Sequence, residues 1–132
     1  MSTANDWRKR ARDNLLAADR LLETRMGTDP LPTAAASRVY YALFQVAISE
    51  LMEAGKTPQS FSSSDQWRHG MVANNLKAAP RLRSSRTIRH LYKMLQSSRE
   101  VADYGPGWVL AKDVQDHFVG LKNAFEELGI TP

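Results

Sequence analysis

Arg99 stands on a predicted helix where the buried stripe of Ile88, Leu91, Tyr92 and Leu95 calls for another leucine. A guanidinium keeps its charge, so in that place it must meet a carboxylate, a carbonyl, water or a phosphate. Asp103 follows four residues on, about 40° round the helix, and Tyr104 lies about 140° round. Two chemistries fit these residues. Arg99 and Asp103 can neutralise each other as a structural pair, or Arg99 can stand at a groove ready to clamp a phosphate bidentately.

A second polar cluster, Ser37, Arg38, Tyr40 and Tyr41, opens an otherwise apolar segment. Ser37, Tyr40, Tyr41 and Phe44 share one side at helical spacing. Their hydroxyls either line the mouth of a groove beside Arg99, or the aromatics fill the core while the serine bonds back to the preceding turn. His69 can supply an imidazole from a third helix or stand as a capped surface histidine.

Other chemistries are excluded by what is missing. There are no cysteines, which removes disulfides, thiolate metal sites and a cysteine nucleophile. His69, His90 and His117 are 21 and 27 residues apart, and none has a second ligand at helical spacing. Gly105-Pro106-Gly107 follows no strand and precedes no Lys-Ser/Thr pair, so it reads as a helix-ending turn rather than a phosphate loop. Gly-x-Ser-x-Gly is absent. No metal and no cofactor are expected.

Five helices must position these groups. The first places Trp7, Ala11, Leu15, Ala18 and Leu22 on one stripe and ends near Met26-Gly27. The second takes Thr33 as N-cap, runs to about Gly55, and is apolar round nearly its whole circumference from Val39 to Met52. A helix of that kind is central, at a subunit interface, or both. A capping box at Ser63-Ser64-Asp65-Gln66 starts a short third helix, to about Lys77. After a loop from Pro80 to Ser85, Ser84 or Ser85 caps a fourth helix that runs to about Tyr104. The last carries Val114, Phe118, Leu121, Phe125 and Leu128 and stops at Gly129. No alternating strand pattern appears. The expected fold is all-α, a five-helix antiparallel up-and-down bundle forming one domain over residues 1–132.

Charge is unevenly distributed along the 132 residues. Residues 64–100 carry eight Lys/Arg against Asp65 and Glu100, a net of +6. Residues 101–132 carry a net of −3. The basic segment is either a solvated face or a surface for phosphate-bearing partners. No secretory signal is visible over Met1–Arg12, and the longest apolar stretch, Val39–Ile48, is about half a membrane span. A cytoplasmic protein with no membrane partner is expected.

Ala36-Ser37-Arg38-x-Tyr40-Tyr41-Ala42-x-Phe44 resembles the second-helix signature of the HEPN superfamily, in particular its small stand-alone prokaryotic members. Arg99-x-x-Ala102-Asp103-Tyr104 resembles the later signature of that group, and His69 is similar to a histidine often found in its third helix. The resemblance spans roughly residues 7–128. It implies a two-fold dimer with a groove between protomers, and in ribonuclease members a metal-free cleavage of RNA. There an arginine stabilises phosphorane charge and a histidine, with four to six residues between the two, shuttles protons. Here Tyr104 stands five positions after Arg99. Arg83 and His90 match that spacing, but Arg83 falls in the Pro80–Ser85 loop and His90 is half a turn out of phase with Arg99.

The catalytic candidates are therefore Arg99, Tyr104, Asp103 and His69. The RNA-binding candidates are Ser37, Arg38, Tyr41, Arg83 and Arg86. The implied partners are RNA, a second copy of the chain, and a nucleotidyltransferase antitoxin. The alternatives are a non-catalytic module that binds a partner protein or nucleotide, with Arg99–Asp103 structural, and a purely structural dimeric bundle.

Overall fold

The structure, a computed structural model, describes residues 2–23, 32–94 and 111–130. The first helix, α1, spans Ala4–Glu23 and the second, α2, Pro32–Glu53. Short α3 (His69–Asn74) and α4 (Pro80–Arg83) follow, with 3-10 turns at Pro58–Ser60 and Leu76–Ala78. A helix α5 begins at residue 86 and is described to residue 94, and α6 spans Ala111–Glu127. Among the described residues there is no strand, as an all-α fold requires.

The packing follows the apolar periodicity. Ala11, Leu15, Ala18 and Leu22 are the buried face of α1, with Trp7 packed at its edge. Thr3 caps this helix: the Asp6 amide donates to Thr3 Oγ1 (3.2 Å), and the Thr3 amide donates to Asp6 Oδ2 (2.8 Å). That is a capping box with aspartate in the place usually held by glutamate. The Thr3 amide's bond to the carboxylate, and after it the Thr3 hydroxyl, hold the Asp6 carboxyl below its ordinary range.

The second helix is central, one of the places its composition allows. Val39, Tyr40, Leu43, Val46, Ala47, Ile48 and Leu51 are fully buried on it. Ser49 is tolerated there because its hydroxyl donates to the Val46 carbonyl, 2.6 Å away. Polar side chains fix the antiparallel register of α1 and α2. Arg8 near the start of α1 meets Glu53 at the end of α2 (3.0 Å), and Asn14 Nδ2 donates to Gln45 Oε1 (2.7 Å).

Glycine ends two of these helices. At Gly55 (φ 80°) and Gly129 (φ 74°) the chain enters the left-handed region. In each case the next amide reaches back, Lys56 to the Leu51 carbonyl (2.9 Å) and Ile130 to the Phe125 carbonyl (2.8 Å). This is the Schellman closure. Val114, Phe118, Leu121, Phe125 and Leu128 form the buried face of α6, and Ile88, Leu91 and Tyr92 that of α5. The two helices approach closely enough that a Cβ on Gly120 would lie 3.2 Å from Leu91 Cδ2.

Three local expectations are corrected. The second helix begins at Pro32, so Thr33 lies inside it rather than capping it; proline suits a first turn because its missing N–H has no partner there. The Ser63–Gln66 capping box does not form, and α3 starts only at His69. The segment Pro80–Ser85 is not simply a loop: Pro80 starts α4 and Leu82 anchors it in the core. Ser85 does cap α5, its Oγ accepting from the Ile88 amide (3.2 Å). The predicted ends of the first and fourth helices lie outside the described residues.

Candidate functional site

His69 is the first residue of α3, and serine builds the turn that delivers it. Ser64 Oγ accepts from the Gln66 amide (3.1 Å) and from Arg68 Nε (3.3 Å), and the Ser64 amide donates to Ser62 Oγ (3.1 Å). These bonds satisfy backbone groups locally and so compete with a helix across 63–68. The helix starts where they end.

The imidazole lands on the aromatic side of α2. Tyr40 Oη lies 2.9 Å from His69 Nδ1, and which group donates depends on the imidazole tautomer. The Phe44 ring is stacked on the imidazole at 4.2 Å between centroids, and the Tyr41 ring meets it edge-on at 5.7 Å. Residues 40, 41 and 44 occur together because three- and four-residue steps put them on one helical face. Tyr40 is fully buried, while His69 and Tyr41 are half-buried.

Behind Tyr40 stands Tyr92 of α5, with ring centroids 6.1 Å apart and an edge-to-face arrangement. Burial pushes the Tyr92 phenol far above its ordinary value, and the adjacent Tyr40 hydroxyl adds to the rise. Tyr92 is therefore a neutral wall, not a proton carrier near pH 7.

Of the predicted site residues, His69 and Tyr41 come together. Ser37 is half-buried one turn before Tyr41. Arg38 belongs elsewhere: its Nη1 donates to Asn14 Oδ1 (3.0 Å), across the seam between α1 and α2. Arg83 at the end of α4 and Arg86 at the start of α5 are exposed, and no bond of either to the His69 group occurs among the described residues. His90 is exposed, in keeping with its helical phase. Arg99, Asp103 and Tyr104 lie outside the described residues.

One polar centre was not anticipated from the sequence. Glu50 is 3 % exposed, and its Oε1 lies 3.3 Å from Arg81 Nε. Arg81 Nη2 also donates to the Leu128 carbonyl, so one side chain joins α4 to the ends of α2 and α6. Desolvation raises the Glu50 carboxyl above its ordinary value, with Glu53 adding to the rise and Arg81 and Arg8 opposing it. The signal was a lone acid inside the apolar run Ala47-Ile48-Ser49-Glu50-Leu51.

No family model, curated protein or solved structure matches this chain. Among the described residues, no three His, Asp or Glu side chains are grouped to hold a metal ion, and no helix is long and apolar enough to cross a membrane.

Proposed function

We propose that this protein is an RNA-binding, HEPN-like helical domain that cleaves RNA without a metal ion. In this reading the segment from His69 to Arg83 is the third helix of five, broken by its turns, and two protomers pair about a two-fold axis. The observation that carries it is the Tyr40–His69 pair, 2.9 Å apart with Tyr41 alongside. A held imidazole is the side chain best suited to exchange protons near neutral pH.

In the proposed step the ribose 2′-oxygen attacks its adjacent phosphorus while His69 takes the 2′-hydroxyl proton. The bond to the 5′-oxygen breaks and that oxygen receives a proton, leaving a 2′,3′-cyclic phosphate and a 5′-hydroxyl. Arg99 stabilises the phosphorane charge. Asp103 orients Arg99, and Tyr104 donates the hydrogen bond or proton to the leaving oxygen. Ser37, Tyr41, Arg83 and Arg86 contact the strand, and Arg38 does so from the outer side of α2. A nucleotidyltransferase antitoxin is the partner that this assignment implies.

The stacking of His69 on Phe44 at 4.2 Å supports a second reading. There His69 is a packing residue, Arg99–Asp103 is a structural pair, and the domain binds a partner without catalysis. One assay separates the two: purified protein with total RNA and tRNA in EDTA, alongside Arg99→Ala, Tyr104→Phe and His69→Ala. Cleavage that persists in EDTA and disappears in folded Arg99→Ala and His69→Ala is the result expected. Absence of cleavage at high protein concentration would overturn catalysis and leave the binding module.

A further inference from the structure

We infer that a second site, a basic cleft between α3 and α5, binds the phosphodiester backbone of an RNA strand; this rests on the RNA reading above. The cleft has a volume of about 520 Å³ and is walled by Asn74, Lys77, Arg89, Tyr92 and Lys93. Among the described residues that line it, none is acidic.

Four observations point to an anion there. Arg89 and Lys93 are four residues apart on α5, so they present two like charges on one helical face, an arrangement that is unfavourable without a counter-charge. Lys77, on the 3-10 turn opposite, adds a third cation to the same cleft. Among the described residues no carboxylate pairs with any of the three. In addition, Arg89 Nε is buried without a hydrogen-bond acceptor. A guanidinium N–H without an acceptor is a strong donor left unused, and the fork it belongs to is suited in charge to a phosphate.

The position of the cleft favours a strand over a small anion. Its wall residue Tyr92 packs edge-on against Tyr40, which bonds His69. Asn74 ends the helix that His69 begins, roughly 7 Å along the axis. A strand held by Lys77, Arg89 and Lys93 at the Asn74 end of α3 therefore lies about one and a half helical turns from His69.

The test is fluorescence anisotropy of a labelled single-stranded oligouridylate across a salt series, with the full chain. Lys77→Gln/Lys93→Gln removes two cations from exposed side chains and leaves the core intact. Lys9→Gln/Lys122→Gln, on exposed positions of α1 and α6, makes the same change in net charge elsewhere. The cleft variant should reduce the slope of log affinity against log salt by about 1.4 and weaken binding about 20-fold at 0.1 M salt, while the control stays near wild type.

Arg89→Lys, which keeps the charge but loses the fork, should weaken binding as well. Equal slopes for the cleft variant and the control would overturn the site. So would inorganic phosphate binding that depends on the cleft lysines while the RNA slope does not. If the wild type binds no RNA, both this site and the RNA reading fail. RNA binding that depends on the cleft in a protein that does not cleave would retain the site and reject only catalysis.

Discussion

Tyr40 and His69, 29 residues apart in the chain, are joined by a 2.9 Å hydrogen bond between the phenol and Nδ1. One partner is fully buried on the central helix and the other half-buried at the start of a six-residue one. The bond therefore ties a weak local element to the strongest element of the core and fixes which face of the imidazole meets Phe44. Tyr40→Phe keeps the ring and removes only the hydroxyl. It should cost about 1 kcal/mol in urea unfolding. It should also redistribute the His69 tautomers, read from imidazole nitrogen shifts, and unchanged shifts would show that the bond does not set the tautomer.

The buried carboxylate of Glu50 makes stability depend on pH. Its folded state keeps the proton to higher pH than the ordinary 4.5, because desolvation outweighs the attraction of Arg81 and Arg8. The protonated folded state is thus favoured, and the contribution is fully present below the unfolded value. It is lost as pH rises through the folded value. Glu50→Gln should flatten this part of the profile above pH 4.5 in denaturant titrations. A variant with the wild-type slope would remove Glu50 as its source.

Arg81 has the opposite dependence. Arg81→Ala removes the counter-charge of Glu50 and the donor to the Leu128 carbonyl. At pH 7 the loss should be about 1–3 kcal/mol, since a buried charged acceptor is left without its partner. At pH 4.5 the loss should be smaller, because a protonated Glu50 no longer needs the cation. Equal losses at both values would mean that the carbonyl bond alone matters.

Position on the helices should decide the cost of leucine truncations. Leu43 is fully buried on α2, whereas Leu16 on α1 is 42 % exposed. Leu43→Ala should cost roughly 2–5 kcal/mol, and Leu16→Ala should stay within about 0.5 kcal/mol. Comparable midpoints for the two in thermal unfolding would contradict the placement of α2 at the centre.

At Gly129 the backbone is left-handed and a Cβ would meet nothing within 4 Å. Gly129→Ala therefore isolates conformational strain from packing. It should cost about 1–2 kcal/mol by the steric penalty on a left-handed L-residue. A neutral substitution would mean that the end of α6 relaxes to another conformation.

Periodicity alone determined the helices that bury a continuous face. The three- and four-residue steps of Trp7–Leu22 and Val114–Leu128 reappear as the buried faces of α1 and α6, and Gly129 stops the latter as its spacing requires. The all-round apolar composition of 39–52 likewise required a helix buried at the centre, at a subunit interface, or both, and the core places it at the centre. Such patterns are legible because burial acts on each residue of a helix independently of which neighbour covers it. The capping box of Thr3 and Asp6 is equally local, with aspartate in the place usually held by glutamate.

Tertiary structure decided the pairings. Tyr40 with His69, Arg81 with Glu50, and Arg81 with the Leu128 carbonyl join residues 29, 31 and 47 positions apart. Arg38 illustrates the same limit. It sits one residue from Ser37 and two from Tyr40, yet its side chain reaches Asn14 on α1. Sequence spacing gives the phase of a side chain on its own helix, but the partner is set by how the helices cross. That crossing is an outcome of packing the whole core.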